Sequence, residues 1–496
     1  MILRLACRGL LDRPWRSGFL LTGFGLGVGV MITLLAIGEA MVAQSRDEKL
    51  VGGGDVTVLP EGLDLEVMKT GGVGGMFVSI ANARFVHRQW LASPRLADRV
   101  AAVAPQTEGV LLYVRTPAGE FPVRAAGELP SATVAVGAAP TVVAGAWTDD
   151  AADRRWLAPT DAELRHEIDR FHHTPSVVPA TERSTWGEWH YFNVLSSDRR
   201  RWAFLTLAVG GDVPRGPWGG QVLLTVHEQG RGERRFVRLV PSAQIALDTA
   251  RADLAMGGDH VEVLPDGRYR VTAHAVEEGT GVPATIALTV TPAPHAYFPG
   301  ASIGGEALVS GYAVPALRAD ADGELCVAGR CEQFAGAQAY HDHNWGVWRD
   351  VQWEWGAARA GSYTLLYGRV HRGGADDVRE PLFLYLVDSL GFRAVFRPSE
   401  IRYVDGGTRV VEGRTIRVPA RAEMIDARGA DTLRLTLTIE DAMASDLRRT
   451  RGSASSGTDA GVRTILVQMK GVAQLAGRIG GRPLAGAGTG FFETYR

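Results

Sequence analysis

The densest run of reactive side chains in the chain is Tyr340-His341-Asp342-His343-Asn344-Trp345-Gly346. On a strand, where side chains alternate, Tyr340, Asp342 and Asn344 share one face and His341, His343 and Trp345 take the other. A carboxyl held in an apolar cavity has its pKa raised and stays protonated at neutral pH, as delivery of a proton to carbon requires. Asp342, with Tyr340 and Asn344 as hydrogen-bonding neighbours, suits that chemistry if its face meets a cavity. The same residues suit, more readily still, a satisfied polar network that fixes a barrel junction. His341 and His343 are spaced so that both rings can approach one ion, but the sequence offers no convincing third ligand, so no metal and no other cofactor is expected.

A second aromatic run, Trp186-Gly187-Glu188-Trp189-His190-Tyr191-Phe192, contributes Glu188, Trp189 and Tyr191 as ligand-binding candidates alongside His341, His343 and Trp345. These three also suit plain core and strand-pairing roles. Cys326 and Cys331 fall opposite each other if Ala328-Gly329 forms a hairpin turn. They then either close a disulfide in an oxidising compartment or stay two small buried thiols.

The elements that must position these residues read mainly as strands. Period-two runs cover 201–209, 221–227, 235–240, 285–291, 363–370, 382–387, 415–418 and 432–439. Pro265-Asp266-Gly267 between 261–264 and 268–274 is a hairpin signal. Many strands with short polar turns indicate a sandwich or barrel. Thr160 with Glu163 fits a capping box for a short helix carrying Leu164, Ile168 and Phe171. Trp186-Gly187-Glu188-Trp189 and Trp345-Gly346-Val347-Trp348 look like an internal echo, and two copies of about 150 residues fit the length. Upstream, strands are expected at 55–60, 110–114 and 120–125, and a short helix opens at Ser93-Pro94-Arg95 with Leu96 and Val100 on one face.

Ser17 to Gly38 carries no charge and is long enough for a bilayer core. Arg4, Arg8, Arg13 and Arg16 precede it, and a mixed, nearly neutral set follows. The N-terminus is therefore expected in the cytoplasm, with the remainder outside a bacterial inner membrane, periplasmic or extracellular. A cleaved signal peptide is the competing reading. Gly23, Gly25, Gly27 and Gly29 favour close approach of another membrane helix. Leu129 to Thr148 is a second uncharged run, but Pro130 and Pro140 break it and it is not read as a span. The chain's formal net charge of −2 gives no reason to expect nucleic acid as a partner.

Two resemblances organise these readings. The basic start, Gly-rich helix and Gly53-Gly54-Asp55-Val56-Thr57-Val58-Leu59-Pro60 resemble the opening of ABC transporter permeases of the macrolide-exporter and lipoprotein-release type, over about 1–160. Glu188-Trp189-His190-Tyr191-Phe192, the Tyr340 to Gly346 run and the ending Gly488-Thr489-Gly490-Phe491-Phe492-Glu493 resemble the carotenoid 1,2-hydratase (hydroxyneurosporene synthase, CrtC) and AttH-like family, over about 175–496. That resemblance implies two lipocalin-like barrels, an apolar terpenoid, polyene or lipid ligand, and hydratase or isomerase chemistry with Asp342 as acid. The His-x-Trp element of the hydratases is absent from 310–315, which places the chain nearer the AttH-like branch.

The expected organisation is mainly β. A cytoplasmic basic segment (1–16) leads into a transmembrane helix (17–38), a small α+β extracytoplasmic domain (39–160) and a linker helix (161–174). Two tandem lipocalin-like barrels follow (175–310 and 311–496). The alternative function is a non-enzymatic accessory or permease-derived component of an ABC exporter, with permease and ATPase subunits as partners.

Overall fold

A computed structural model describes residues 14–45, 80–91, 95–96, 98–138, 148–303, 310–347, 351–372, 378–379, 381–411, 414–445 and 465–495. The expected strand at 55–60 lies outside the described residues. The chain divides into two units, Met1–Ser79 with Arg99–Trp156 and Ile80–Asp98 with Leu157–Arg496.

The first unit holds the helix Pro14–Ser45. Its segment Pro14–Gly38 has a mean hydropathy of 2.2, and among the described residues it is the one helix long and apolar enough to cross a membrane. A signal sequence near the N-terminus can also be this long and apolar. Among the described residues the unit's sheet is a single hairpin, β1 (Gln106–Thr116) with β2 (Gly119–Glu128). Pro130 opens the six-residue helix Pro130–Ala135 within the second uncharged run. Residues 95–96 and 98–99 form turns rather than the expected helix. Arg95 instead donates to both carboxylate oxygens of Asp388, at 2.6 and 2.7 Å.

The second unit begins with the helix Ile80–Leu91, whose Phe85 packs edge-on against Tyr297 at 5.3 Å. Its first sheet contains β3 (Trp186–Leu195), β4 (Arg201–Gly211), β5 (Trp218–Glu228), β6 (Gly232–Pro241), β7 (Ile245–Leu247), β8 (Leu254–Met256), β9 (Asp259–Val263), β10 (Tyr269–Glu277), β11 (Pro283–Pro292), β12 (Phe298–Ile303), β13 (Ser310–Val327) and β14 (Arg330–Val347). Eight of these close a barrel in the cyclic order β3-β4-β5-β6-β10-β11-β13-β14, every neighbour antiparallel. Alternation supplies its wall: in β10, Tyr269, Val271, Ala273 and Ala275 are buried and the residues between them are not. Phe192, Leu205, Val222, Phe236 and Ile286 fill the interior. The narrowest seam is β6 to β10, where Val276 faces Val237 and Glu277 faces Phe236.

The second sheet contains β15 (Val351–Ala360), β16 (Tyr363–Arg372), β17 (Val378–Arg379), β18 (Phe383–Asp388), β19 (Gly391–Phe396), β20 (Arg402–Val411), β21 (Arg414–Arg428), β22 (Asp431–Ser445), β23 (Leu466–Ile479) and β24 (Arg482–Tyr495). Its order is β19-β18-β16-β15-β24-β23-β22-β21-β20, with β17 on β16, and among the described residues its two edges do not pair. β19 has six residues, while β20 has ten and shifts register at Val404/Asp405 and Asp405/Gly407. Such bulges twist an edge away from pairing.

The fold expectation is therefore corrected: one closed eight-stranded barrel is accompanied by open sheets, not by a second barrel. The echo that suggested two copies has another origin. Trp186-Gly187-Glu188 and Trp345-Gly346-Val347 are directly paired neighbours in one barrel, Val347 facing Trp186 and Trp345 facing Glu188. The expected separate α+β domain is corrected as well. Its described sheet is a two-stranded hairpin, and the helix Ile80–Leu91 belongs with the β-rich unit because its buried Phe85 face packs there.

Candidate functional site

β14 lies between β13 and β3, and its alternation serves two cores. Tyr340 faces Asn193, Asp342 faces Tyr191 and Asn344 faces Trp189 across the β14–β3 ladder. Side chains directly opposite in an antiparallel pair lie on the same side. Tyr340, Tyr191 and Trp189 belong to the aromatic cluster shared by the barrel and the open sheet, with Trp355, Tyr312 and Phe491. His341, His343, His190 and Phe192 form the opposite face, directed into the barrel, where the rings of His341 and Phe192 stack at 4.2 Å. The residues singled out from the sequence therefore fall into two groups. Asp342, Tyr340, Asn344, Tyr191 and Trp189 are on the inter-sheet face. His341, His343, Trp345 and Glu188 are on the barrel face.

On the inter-sheet face Asp342 is 4% exposed. Its oxygens are held by neutral donors, Tyr340 Oη at 2.7 Å and Asn344 Nδ2 at 2.7 Å. Tyr340 Oη in turn accepts from Trp355 Nε1 at 2.8 Å. Burial pushes the Asp342 carboxyl up to about 7, against the lowering effect of Tyr340 and Asn344, and Glu493 adds to the rise. Glu493, on β24, is also raised by burial. It accepts from Tyr191 Oη (3.1 Å), Gln468 Nε2 (2.9 Å) and Trp353 Nε1 (2.9 Å). Two carboxyls whose pKa values burial raises thus line one aromatic junction. A cleft of about 40 Å³ adjoins it, lined by Trp202, Leu317, Tyr340, Ala357, Lys470 and Phe491 among others.

On the barrel face the helix Asp161–Ile168 delivers a further acid. The Thr160/Glu163 capping box starts this helix, and Leu164 and Ile168 bury one side of it. Arg165 donates to the carbonyls of Pro315 (3.1 Å) and Ala293 (2.8 Å), which ties the helix to β13 and to the segment after β11. Asp169 follows, 1% exposed, and accepts from His343 Nδ1 (2.6 Å) and Tyr269 Oη (2.5 Å). Burial opposes ionisation of Asp169, but the imidazoles of His341 and His343 outweigh it and hold the carboxyl well below its usual range. Burial likewise works to lower His343, yet Asp169 and Glu188, the latter 3.1 Å from its Nε2, hold it up at about 9. Glu188 also accepts from His172 Nδ1 at 2.8 Å, and the His172 ring stacks on Trp345 at 4.6 Å.

Asp169 and Glu493 are the residues that sequence reading missed. Nothing around Asp169 marks it, whereas Glu493 ends the quoted C-terminal Gly-Phe-Phe-Glu run. Cys326 and Cys331 face each other across the Ala328-Gly329 turn and form a disulfide, with Ala328 at φ 53°.

No family model matches the chain, and no curated protein matches it. Among solved structures it is similar to a candidate AttH from Nitrosomonas europaea, at 14% identity and a TM-score of 0.45, covering 65% of this chain and 99% of that one. It is similar to CghA with Sch210972, at 14% identity and 0.41, covering 62% and 88%. It is also similar to kievitone hydratase from Nectria haematococca, at 14% identity and 0.38, covering 66% and 94%.

Proposed function

We propose that the protein binds an apolar, unsaturated small molecule where the barrel meets the open sheet and protonates it from Asp342. The observation that carries this reading is a carboxyl removed from water, held by neutral donors alone and set among aromatic rings. With its pKa raised to about 7, such a carboxyl is protonated in a large share of molecules at neutral pH and can give that proton to an alkene carbon. The ring faces of Trp355 and Phe491 suit the carbocation that forms. In an isomerisation the Asp342 carboxylate takes a proton back from an adjacent carbon. In a hydration, water adds to the cation and returns a proton to the same carboxylate. Tyr340 and Asn344 are positioning residues. The helix Pro14–Ser45 would hold the domain beside the membrane into which such a ligand partitions.

The test is to purify the full chain in detergent, extract and identify the co-purifying ligand, and incubate it with fresh protein in D2O. Deuterium bound to carbon is expected with the unvaried protein and not with Asp342→Asn. Absence of exchange with the unvaried protein, or equal exchange with the variant, would overturn the reading.

A further inference from the structure

We propose that the barrel interior binds a divalent transition-metal ion of the zinc type through Asp169, His190 Nδ1 and His341 Nε2. This inference is independent of the proton-transfer reading, because it concerns the opposite face of β3 and β14.

His190 Nε2 lies 2.8 Å from the carbonyl of Ala252. A carbonyl only accepts, so Nε2 carries the proton and Nδ1 presents a lone pair. That Nδ1 is buried and has no hydrogen-bond partner. His341 is fixed in the opposite sense: its Nδ1 donates to the carbonyl of Tyr191 at 3.1 Å, so Nε2 presents the lone pair. His341 Nε2 lacks a partner of good hydrogen-bond geometry and lies 3.5 Å from Asp169 Oδ2, whose carboxyl it helps hold down only when it carries a proton. One ligand atom from each of Asp169, His190 and His341 lies within 4.8 Å of the others, and all three residues are at most 1% exposed.

Two imidazoles, each with a nitrogen left unpartnered, and a carboxylate are gathered in one buried site, and His343 answers only the carboxylate, so a bound cation is what would satisfy both open nitrogens. A proton on His341 Nε2 would answer the carboxylate but leave His190 Nδ1 without a partner. One metal ion answers all three. Ligands about 2.0–2.1 Å from a tetrahedral zinc stand roughly 3.4 Å apart, close to the His341–Asp169 separation. Two imidazoles and one carboxylate suit zinc and its neighbours, whereas calcium and magnesium prefer all-oxygen sets.

The surroundings have the organisation of an outer shell. Ala252 O and Tyr191 O orient the two imidazoles, and Tyr269 Oη and His343 Nδ1 hold the carboxylate. The ligands come from three stretches of chain: the segment after the helix Asp161–Ile168, β3 and β14. The ion would fasten that helix to the barrel wall, and its burial would make release to a chelator slow.

The test uses the full chain in detergent, produced with added zinc and dialysed against metal-free buffer. Elemental analysis is expected to find about one zinc per chain. Protein produced with cobalt alone should show the visible absorption bands of four-coordinate cobalt. His190→Ala and His341→Asn should lose both signals, while His274→Asn, at a distant ion pair, should keep them. Folded, unvaried protein that takes up neither metal overturns the proposal even if the variants fail to fold. So does metal retained in full by the His190→Ala/His341→Asn double variant.

Discussion

His341 and Asp342 are consecutive on one strand, and their side chains enter different cores. His341 stacks on Phe192 inside the closed barrel, while Asp342 bonds to Tyr340 and Asn344 at the junction with the open sheet. The strand is thus a partition with separate chemistry on each side.

Replacement of Asp342 by Asn keeps the shape and removes the proposed acid. Turnover of an identified ligand should fall by about 10²–10⁴-fold, the range for loss of a general acid. Tyr340→Phe removes one donor to Asp342 and the acceptor for Trp355, and should cost less than Asp342→Asn. Product analysis checks both, with circular dichroism confirming the fold.

Tyr191→Phe takes the hydroxyl away from Glu493 and leaves that buried carboxyl with Gln468 and Trp353. The loss should destabilise the protein by about 1–3 kcal/mol, since a buried acceptor loses one donor. A shift of the denaturant midpoint with an unchanged slope is the expected signature.

Phe492→Ala empties a fully buried position in the core of the open sheet, where the ring lies 6.3 Å from that of Tyr367. The expected cost is about 3–5 kcal/mol. Loss of the thermal transition of the open sheet before that of the barrel would show that the two cores unfold separately.

The narrow β6–β10 seam is clasped by Arg234, which donates to Glu277 at 2.7 and 2.9 Å. The bonds from Arg234 and Thr280 hold the Glu277 carboxyl down at about 2. Its folded pKa lies below the unfolded value near 4.5, so its contribution to stability is present above about pH 4.5 and is lost as pH falls through about 2. Glu277→Gln should therefore lower the melting temperature at pH 6, by less as the pH falls toward 2, and make no difference below it.

The β content was legible because the period-two pattern is strong: the runs at 201–209, 221–227 and 285–291 all lie within strands. The Pro265-Asp266-Gly267 turn was legible for the same local reason, with Gly267 at φ 82°. The division of the Tyr340 to Gly346 run between two faces also follows from local geometry. Closure does not, because it depends on which distant edges meet. Glu277 meeting Phe236 closes one sheet, while the bulges near Asp405 leave the other open. Asp169 and Glu493 were obscured similarly, since each reaches β14 or β3 from far along the chain.

The shared strand also constrains how this chain can evolve. Inserting one residue between Gln338 and His341 would exchange the two compartments, presenting imidazoles to the aromatic junction and a carboxyl to the barrel interior. Inserting two would restore the original facing. Lineages descended from this chain should therefore tolerate length changes here only in even steps, and that parity can be read from sequences alone.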